Sequence, residues 1–289
     1  KEVVLETIKK LGYVPNQLAR SLTNRSSKII GVIVPHFGPT FYGELLEGIE
    51  SQAATSGYKT MFCHTQDDPE RELEYLVFFE QYNIEGLIIA ANFSNTDKLA
   101  DLNIPIITVD HILDENIPSI TSDNVRGGEL GATELVQRGR KKIMIFRGPS
   151  FLLTTVERTI GALNVFKTAN LYVDIFDFDI VNPDVKLIEE ILTNNPDVDG
   201  IFAFSDTLAI ATMNILKRLN RRIPEDVSII GYDNSPFSNW VSPRLTTIHQ
   251  PVNLMGKQTF MKLTKLIRES NLDNLHDVIK VELIKRDSV

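Results

Sequence analysis

Eight short apolar runs, set between segments of helical period, constrain this sequence more than any other feature. They are IIGVIV (29–34), KTMFC (59–63), GLIIA (86–90), IPIITV (104–109), KIMIF (142–146), VDIFDF (173–178), GIFAF (200–204) and VSIIG (227–231). Runs of this kind suit strands buried on both faces, and such strands belong to parallel sheets covered by crossover helices. The intervening segments supply the helices. Leu45, Leu46, Ile49 and Ala53 share one face of 44–54, and Leu208, Ala211, Ile215, Leu216 and Leu219 share one face of 207–219. Eight strands exceed a single mononucleotide-type half. The expected fold class is therefore α/β, with two similar doubly wound parallel-sheet subdomains. A chain of 289 residues, 43% of them hydrophobic, can fill two such cores.

Several function classes fall away on composition and motif. No run approaches the roughly 18 apolar residues of a membrane span, and no secretory signal pattern opens the chain, so a soluble protein is expected. Lys1 lies inside a helical pattern, which reads as the interior of a longer chain. The single cysteine, Cys63, excludes an internal disulfide and a multi-cysteine metal site; within TMFCHT it reads as a small core residue, consistent with a reducing, cytoplasmic home. There is no phosphate-binding G-x-x-x-x-G-K-[ST] and no nucleophile-elbow G-x-S-x-G. The glycines of GGELG (127–131) sit at a helix start and read as close helix packing. His36, His64, His111, His249 and His276 show no i,i+4 pairing, so no metal is expected. No spacing arranges Asp123, Asp206 and Asp233 as paired catalytic carboxylates. The expectation is a protein that is not an enzyme and carries no cofactor.

Charge and strand ends carry the positive signal. The net charge is −8, yet residues 1–28 hold Lys1, Lys9, Lys10, Arg20, Arg25 and Lys28 against Glu2 and Glu6, a local +4 on a body of −12. Polyanion contact therefore belongs to this arm. In open α/β sheets, ligands bind beyond the carboxyl ends of the strands. Those positions read PHFGPTFY (35–42), ANFSN (91–95), Asp110-His111, RGPSFLLTTVER (147–158), SDT (205–207) and YDNSPFSNW (232–240). Aromatic faces that stack on C–H patches, beside Asp and Arg that bind hydroxyls, suit a sugar. His36 and His111 follow strands and are cleft-lining candidates.

In order along the chain, VLETIKKLGYVPNQLARSL, PERELEYL, NIEGLIIA, IPIITVDH, SDNVRGGELGATELVQRGRKKIMIFRGP, the ER and GALNVF of 157–166, FAFSDTLAI, IPEDVSIIGYDN, PRLTTIHQPV and RDSV resemble the LacI/GalR family of bacterial transcription repressors. The resemblance implies periplasmic-binding-protein-like subdomains behind an N-terminal helical DNA-binding remnant. It implies residues 1–28 as the end of a helix-turn-helix headpiece plus hinge helix. An N-terminal effector-binding subdomain then spans 29–138 with 250–272, and a C-terminal one 139–249 with 273–289. PNQLARSL (15–22) resembles the hinge helix, with Asn16, Ala19, Arg20 and Leu22 on DNA and Leu22 wedged between central base steps. Arg25 and Lys28 read equally as phosphate contacts or solvated linker charges.

Carried over residue by residue, the effector site comprises Phe41, Tyr42, Asp123, Arg158, Asp206 and Asp233. The chain departs from the family pattern at Pro39-Thr40, Ser205 and Ala162. The implied function is a repressor of a carbohydrate-utilisation operon, its operator affinity controlled by a sugar or sugar phosphate in the interdomain cleft. Implied partners are palindromic operator DNA, a second copy forming a homodimer, and in some relatives a protein corepressor. The alternative is a two-lobed transport-type sugar-binding protein with no DNA role. Removing residues 1–28 is expected to abolish operator binding and leave ligand affinity nearly intact; parallel DNA and ligand titrations check this, and loss of both contradicts the modular reading.

Overall fold

A computed structural model describes residues 26–38, 41–90, 96–99, 101–269 and 271–289. The expectations for Asn16, Ala19, Arg20, Leu22 and Arg25, for Pro39-Thr40 and for ANFSN (91–95) lie outside the described residues. In chain order the elements are β1 (Ile29–Val34), α1 (Phe41–Thr55), β2 (Lys59–His64), α2 (Pro69–Gln81), β3 (Gly86–Ile89), α3 (Thr96–Leu99), β4 (Ile106–Val109) and β5 (Ser119–Ser122). They continue with α4 (Asn124–Gln137), β6 (Ile143–Arg147), α5 (Leu153–Thr168), β7 (Val173–Asp177), α6 (Val185–Asn194), β8 (Gly200–Ala203), α7 (Asp206–Arg218) and β9 (Ser228–Asp233). A 3-10 turn (Pro236–Asn239), β10 (Thr246–His249), α8 (Val252–Glu269), β11 (His276–Ile279) and β12 (Glu282–Ile284) complete the chain.

Two six-stranded sheets result, ordered β11-β5-β4-β3-β1-β2 and β12-β10-β9-β8-β6-β7. Each repeats the doubly wound order, with its switch point beside the first strand of the lobe. All pairings are parallel except β10 with β12, where Thr247 faces Ile284. Helices cover both faces of both sheets. Ile30, Val32, Leu45, Ile49, Met255 and Phe260 fill one side of the first sheet, while Ile33, Leu76, Phe79 and Ile89 fill the other. In the second lobe Ile188, Leu208, Leu216 and Ile229 oppose Ile145, Phe166, Phe202 and Tyr232 across the sheet. Cys63 is buried in the first lobe, where desolvation pushes its thiol up to about 11 and so keeps it protonated.

The lobes divide the chain differently from the expected boundaries. Helix α4 was expected with the first lobe, but its glycine face docks on the second: a Cβ on Gly128 would lie 2.1 Å from the Arg158 carbonyl, and Gly131 rests on the Phe202 ring. Strand β11 was expected in the second lobe, but pairs in parallel with β5, His276 beside Ser119. The chain thus crosses between lobes three times, after Ser122, after His249 and after Ile279. Four strands beyond the eight apolar runs appear: β5, β10, β11 and β12. They are short and rich in Ser, Thr and charged residues, and tertiary partners fix them: Ser288 Oγ accepts from the Thr246 amide at 2.9 Å and donates to the Ile229 carbonyl at 2.6 Å.

One pair of close approaches sets each lobe. In the second, Gly128 of α4 meets the Arg158 backbone, and Gly161 of α5 meets the Val125 carbonyl, where a Cβ would stand 1.9 Å away. In the first, Gly48 of α1 and Gly256 of α8 meet each other's helix backbones in the same reciprocal way. A methyl group at either crossing forces the helices apart. Gly161→Ala is expected to destabilise the protein by about 1–3 kcal/mol and to lower the thermal unfolding midpoint by several degrees in circular dichroism.

Candidate functional site

The carboxyl ends of both sheets supply the site. Asp110 directly follows β4 and Asp233 ends β9, the fourth strand of each lobe, so the two carboxylates occupy equivalent places in the two halves. Both have left-handed backbone, φ 74° at Asp110 and φ 103° at Asp233, and Asn234 follows at 59°. Non-glycine residues held there store strain that surrounding contacts must over-determine. For the second lobe those contacts are visible. The Asn234 amide donates to Thr247 Oγ1 at 3.3 Å and Arg286 donates to Asn234 Oδ1 at 2.5 Å, so the terminal RDSV stretch holds the loop that presents Asp233.

Arg158 projects from α5 and is buried. Its Nε donates to Asn124 Oδ1 at 2.9 Å and its Nη1 to the Phe204 carbonyl at 3.0 Å, while its guanidinium lies 3.7 Å from the centre of the Tyr232 ring. Asn124 also donates to Glu157 at 3.0 Å, so one amide orients both residues of the Glu-Arg pair. Burial pushes the Asp233 carboxyl up to about 8; Arg158 restrains the rise and Asp206 adds to it. Burial likewise raises Asp110, again with Arg158 opposing. Asp110 Oδ1 is buried without a hydrogen-bond partner. For Tyr42, burial first and the carboxylates of Asp110, Asp67 and Asp233 next drive the hydroxyl upward, keeping it a donor. Tyr42 packs edge-on to Phe41, ring centres 5.2 Å apart. Of the predicted residues, Tyr42, Arg158 and Asp233 therefore form one electrostatic group, with Phe41 as an apolar wall.

Asp206 does different work. Its side chain is fully buried, Oδ2 accepts from the Ser235 amide at 2.7 Å and Oδ1 from Thr247 Oγ1 at 2.6 Å. Both oxygens are engaged by the protein, so Asp206 ties β8 to β9 and β10 instead of offering a free carboxylate. Asp123 caps α4, accepting from the Arg126 amide at 3.0 Å, and is half-buried. His36 lines a cavity of about 500 Å³ together with Phe41, Tyr42 and Asp233, and its Nε2 stands 3.5 Å from Asp67. His111 turns Nδ1 to the Val109 carbonyl, and desolvation lowers its pKa, favouring the neutral ring. Lys28, read from sequence as a phosphate contact or solvated charge, donates through its amide to Glu85 at 2.8 Å and lies 4.3 Å from the Tyr58 ring centre.

Three site residues escaped the sequence-derived set. Asp110 carried a signal, since the ITVDH ending mirrors IIGYDN. Asn124 and Gln250 carried none. Gln250 is wholly buried at an interlobe crossing; Nε2 donates to Asp233 at 2.8 Å, and Oε1 accepts from Ser122, which stands at another crossing. Among the described residues no cluster of three or more His, Cys, Asp or Glu is arranged to hold a metal ion, and no helix is long and apolar enough to cross a membrane.

The profile of a family described as periplasmic binding proteins and sugar binding domain of LacI family matches residues 27–287. The chain belongs to the LacI family. It is 34% identical to the ribose operon repressor of Halalkalibacterium halodurans, covering 100% of this chain and 87% of that protein. It is 36% identical to the sucrose operon repressor of Streptococcus mutans, covering 99% and 89%. Among solved structures, a periplasmic binding protein/LacI transcriptional regulator from Alkaliphilus metalliredigens complexed with D-xylulofuranose superposes with a TM-score of 0.82 at 32% identity, over 90% of this chain and 98% of that one. An Enterococcus faecalis regulator of the family with bound ribose gives 0.80 at 29% identity, over 90% and 98%. Membership in the LacI family makes this a sugar-regulated repressor in general terms, and not an enzyme.

The raised Asp233 carboxyl has a consequence for stability. In the unfolded chain an aspartate titrates near 3.9, roughly the ordinary value. Between that pH and about 8 the native state keeps a proton that the unfolded chain has released, so stability falls as pH rises through this window and levels off above it. Asp206, raised to about 6, acts in the same sense over the lower part. Asp233→Asn removes the larger contribution. In ligand-free thermal melts, the variant is expected to lose less stability between pH 5 and pH 8 than the parent protein.

Proposed function

We propose that this protein represses a carbohydrate-utilisation operon and that a neutral sugar held between its lobes controls operator affinity. The observation that carries the reading is the pair of strand-end carboxylates, Asp110 and Asp233, one from each lobe and both close enough to Arg158 to feel its charge. A sugar hydroxyl donates to a carboxylate and accepts from a guanidinium, so a ring with several hydroxyls satisfies all three groups at once. Because the carboxylates come from different lobes, such a ligand favours one interlobe arrangement over others and shifts the population toward it. Gln250 gives that preference a route: it bonds Asp233 and, through Ser122, joins two of the three crossings.

Asp110 and the largely protonated Asp233 leave the lone Arg158 guanidinium no surplus positive charge for a phosphate dianion, so a free sugar is preferred to a sugar phosphate. The repressor relatives match over 99–100% of this chain, which includes the basic segment 1–28. That supports DNA contact through Asn16, Ala19, Arg20 and Leu22, and weighs against the transport-type alternative. In a homodimer on a palindromic operator, moving the first lobes relative to one another changes the spacing of two such segments. The coupling is reciprocal, so DNA alters sugar affinity by the same factor. A protein corepressor finds no specific support.

A thermal-shift panel of ribose, fructose, sucrose and their phosphates tests this. A ligand at 100 times its Kd adds about 2.7 kcal/mol of stability. Arg158→Ala and Asp110→Ala are each expected to weaken the sugar that binds at least tenfold in titration calorimetry, with the fold intact by circular dichroism. A shift with phosphates alone overturns the neutral-sugar reading.

A further inference from the structure

The polar centre does not account for the whole cleft. Beside it lies the cavity of about 500 Å³ that shares Tyr42 and Asp233 with that centre. Most of its other lining is apolar, Phe41 from the first lobe and Ile180, Val181, Phe237, Trp240 and Val241 from the second, with His36, Ser205 and Thr207 as polar exceptions. Phe237 and Trp240 meet edge to face, ring centres 5.5 Å apart at 84°. Trp240, the only tryptophan of the chain, is 74% exposed, and Phe237 is 38% exposed. The 3-10 turn that carries Phe237 and runs into Trp240 is itself anchored, since Ser238 Oγ donates to the Ser235 carbonyl at 2.7 Å and the Leu245 amide donates to the Ser238 carbonyl at 2.9 Å. The aromatic pair is thus held in place while its faces stay open to solvent. Large exposed aromatics beside a cavity mark a surface that a ligand covers.

We propose that this annex is a second sugar subsite and that the effector is a glycoside of at least two rings. This rests on the reading of the cleft as a sugar site. One ring meets Asp110, Arg158 and Asp233. The next, joined through the glycosidic oxygen, lies in the annex with an apolar C–H face on Trp240 and Phe237. The polar centre offers Asp110, Arg158 and Asp233 to the hydroxyls of one ring, whereas the annex offers mainly aromatic and aliphatic surface, with His36, Ser205 and Thr207 as its further polar groups. Such walls pay nothing toward a free anion or a strongly hydrated chain, but they suit the C–H patch of a pyranose. Trp240 is accordingly a specificity-determining residue: it discriminates by ligand length and leaves recognition of the first ring to the polar centre.

The test is titration calorimetry of the full chain with sucrose, maltose and cellobiose against their component monosaccharides glucose and fructose, on the parent protein, Trp240→Ala and Trp240→Phe. At least one disaccharide is expected to bind the parent tenfold or more tightly than its monosaccharides. Trp240→Ala is expected to weaken that disaccharide at least tenfold and to change monosaccharide binding less than twofold, while Trp240→Phe retains most of the affinity. Because Trp240 is the only tryptophan, its emission also reports the annex directly, shifting with the disaccharide and staying unchanged with the monosaccharide. Monosaccharides that bind as tightly as disaccharides, or a disaccharide affinity indifferent to Trp240→Ala, overturns the second subsite and leaves the sugar reading standing. No binding by any of the sugars, with ribose included as a further probe, overturns both.

Discussion

The backbone contact between α4 and α5 is the constraint on which the site depends. Gly128 and Gly161 let the two helices approach until each glycine touches the other's main chain. Arg158 lies one turn before Gly161, and Asn124 begins the helix that carries Gly128, so the same contact that docks the helices brings Asn124 onto the Arg158 guanidinium at 2.9 Å. Tyr232, one residue before Asp233, completes the seat from below with its ring face. Here packing and the seating of the guanidinium are one event. A buried cation needs a full set of partners to be tolerated, and the helix crossing supplies them before any ligand arrives. The first lobe uses the same device at Gly48 and Gly256, where among the described residues no buried arginine rests, so the close crossing is architectural in both lobes.

Against that fixed cation stand groups kept under stress. Asp110 and Asp233 take left-handed backbone at equivalent strand ends, and burial holds both carboxyls above their ordinary range. Asp206 shows the contrast. It is more deeply buried than either, yet its two oxygens are satisfied by Ser235 and Thr247, so it consolidates the strand ends. Two aspartates only one helix and one strand apart in sequence thus differ in whether the protein itself satisfies their oxygens. The link from Asp233 through Gln250 to Ser122 then places the stressed group in direct contact with the crossings about which the lobes are joined. Asp233, Gln250 and Ser122 thus form one hydrogen-bonded chain that touches two of the three crossings, so a change in interlobe geometry disturbs it.

Much of this was legible in the residues. Alternating apolar runs and helical faces dictated two doubly wound lobes, because fully buried strands have few other solutions. Strand-end chemistry pointed to the cleft, and Tyr42, Arg158 and Asp233 do meet as one group. The close-packing reading of GGELG also matches the contacts of Gly127, Gly128 and Gly131. What escaped shares a physical cause. Strands β5 and β10 are built from Ser, Thr, Ile and His, with no apolar run to announce them, and they persist because neighbours on distant segments, such as Ser288 on Thr246, complete their hydrogen bonds.

By itself, then, the sequence determined the layer architecture, the basic arm and the polar character of the strand ends, since these follow from local periodicity and charge. Only the tertiary structure decided which lobe owns α4 and β11, that Asp206 is bonded inward while Asp110 is not, and that Gln250 joins the site to the crossings. Those outcomes depend on contacts between residues dozens to more than a hundred positions apart, and no local pattern encodes which of several buried polar groups will find its partner.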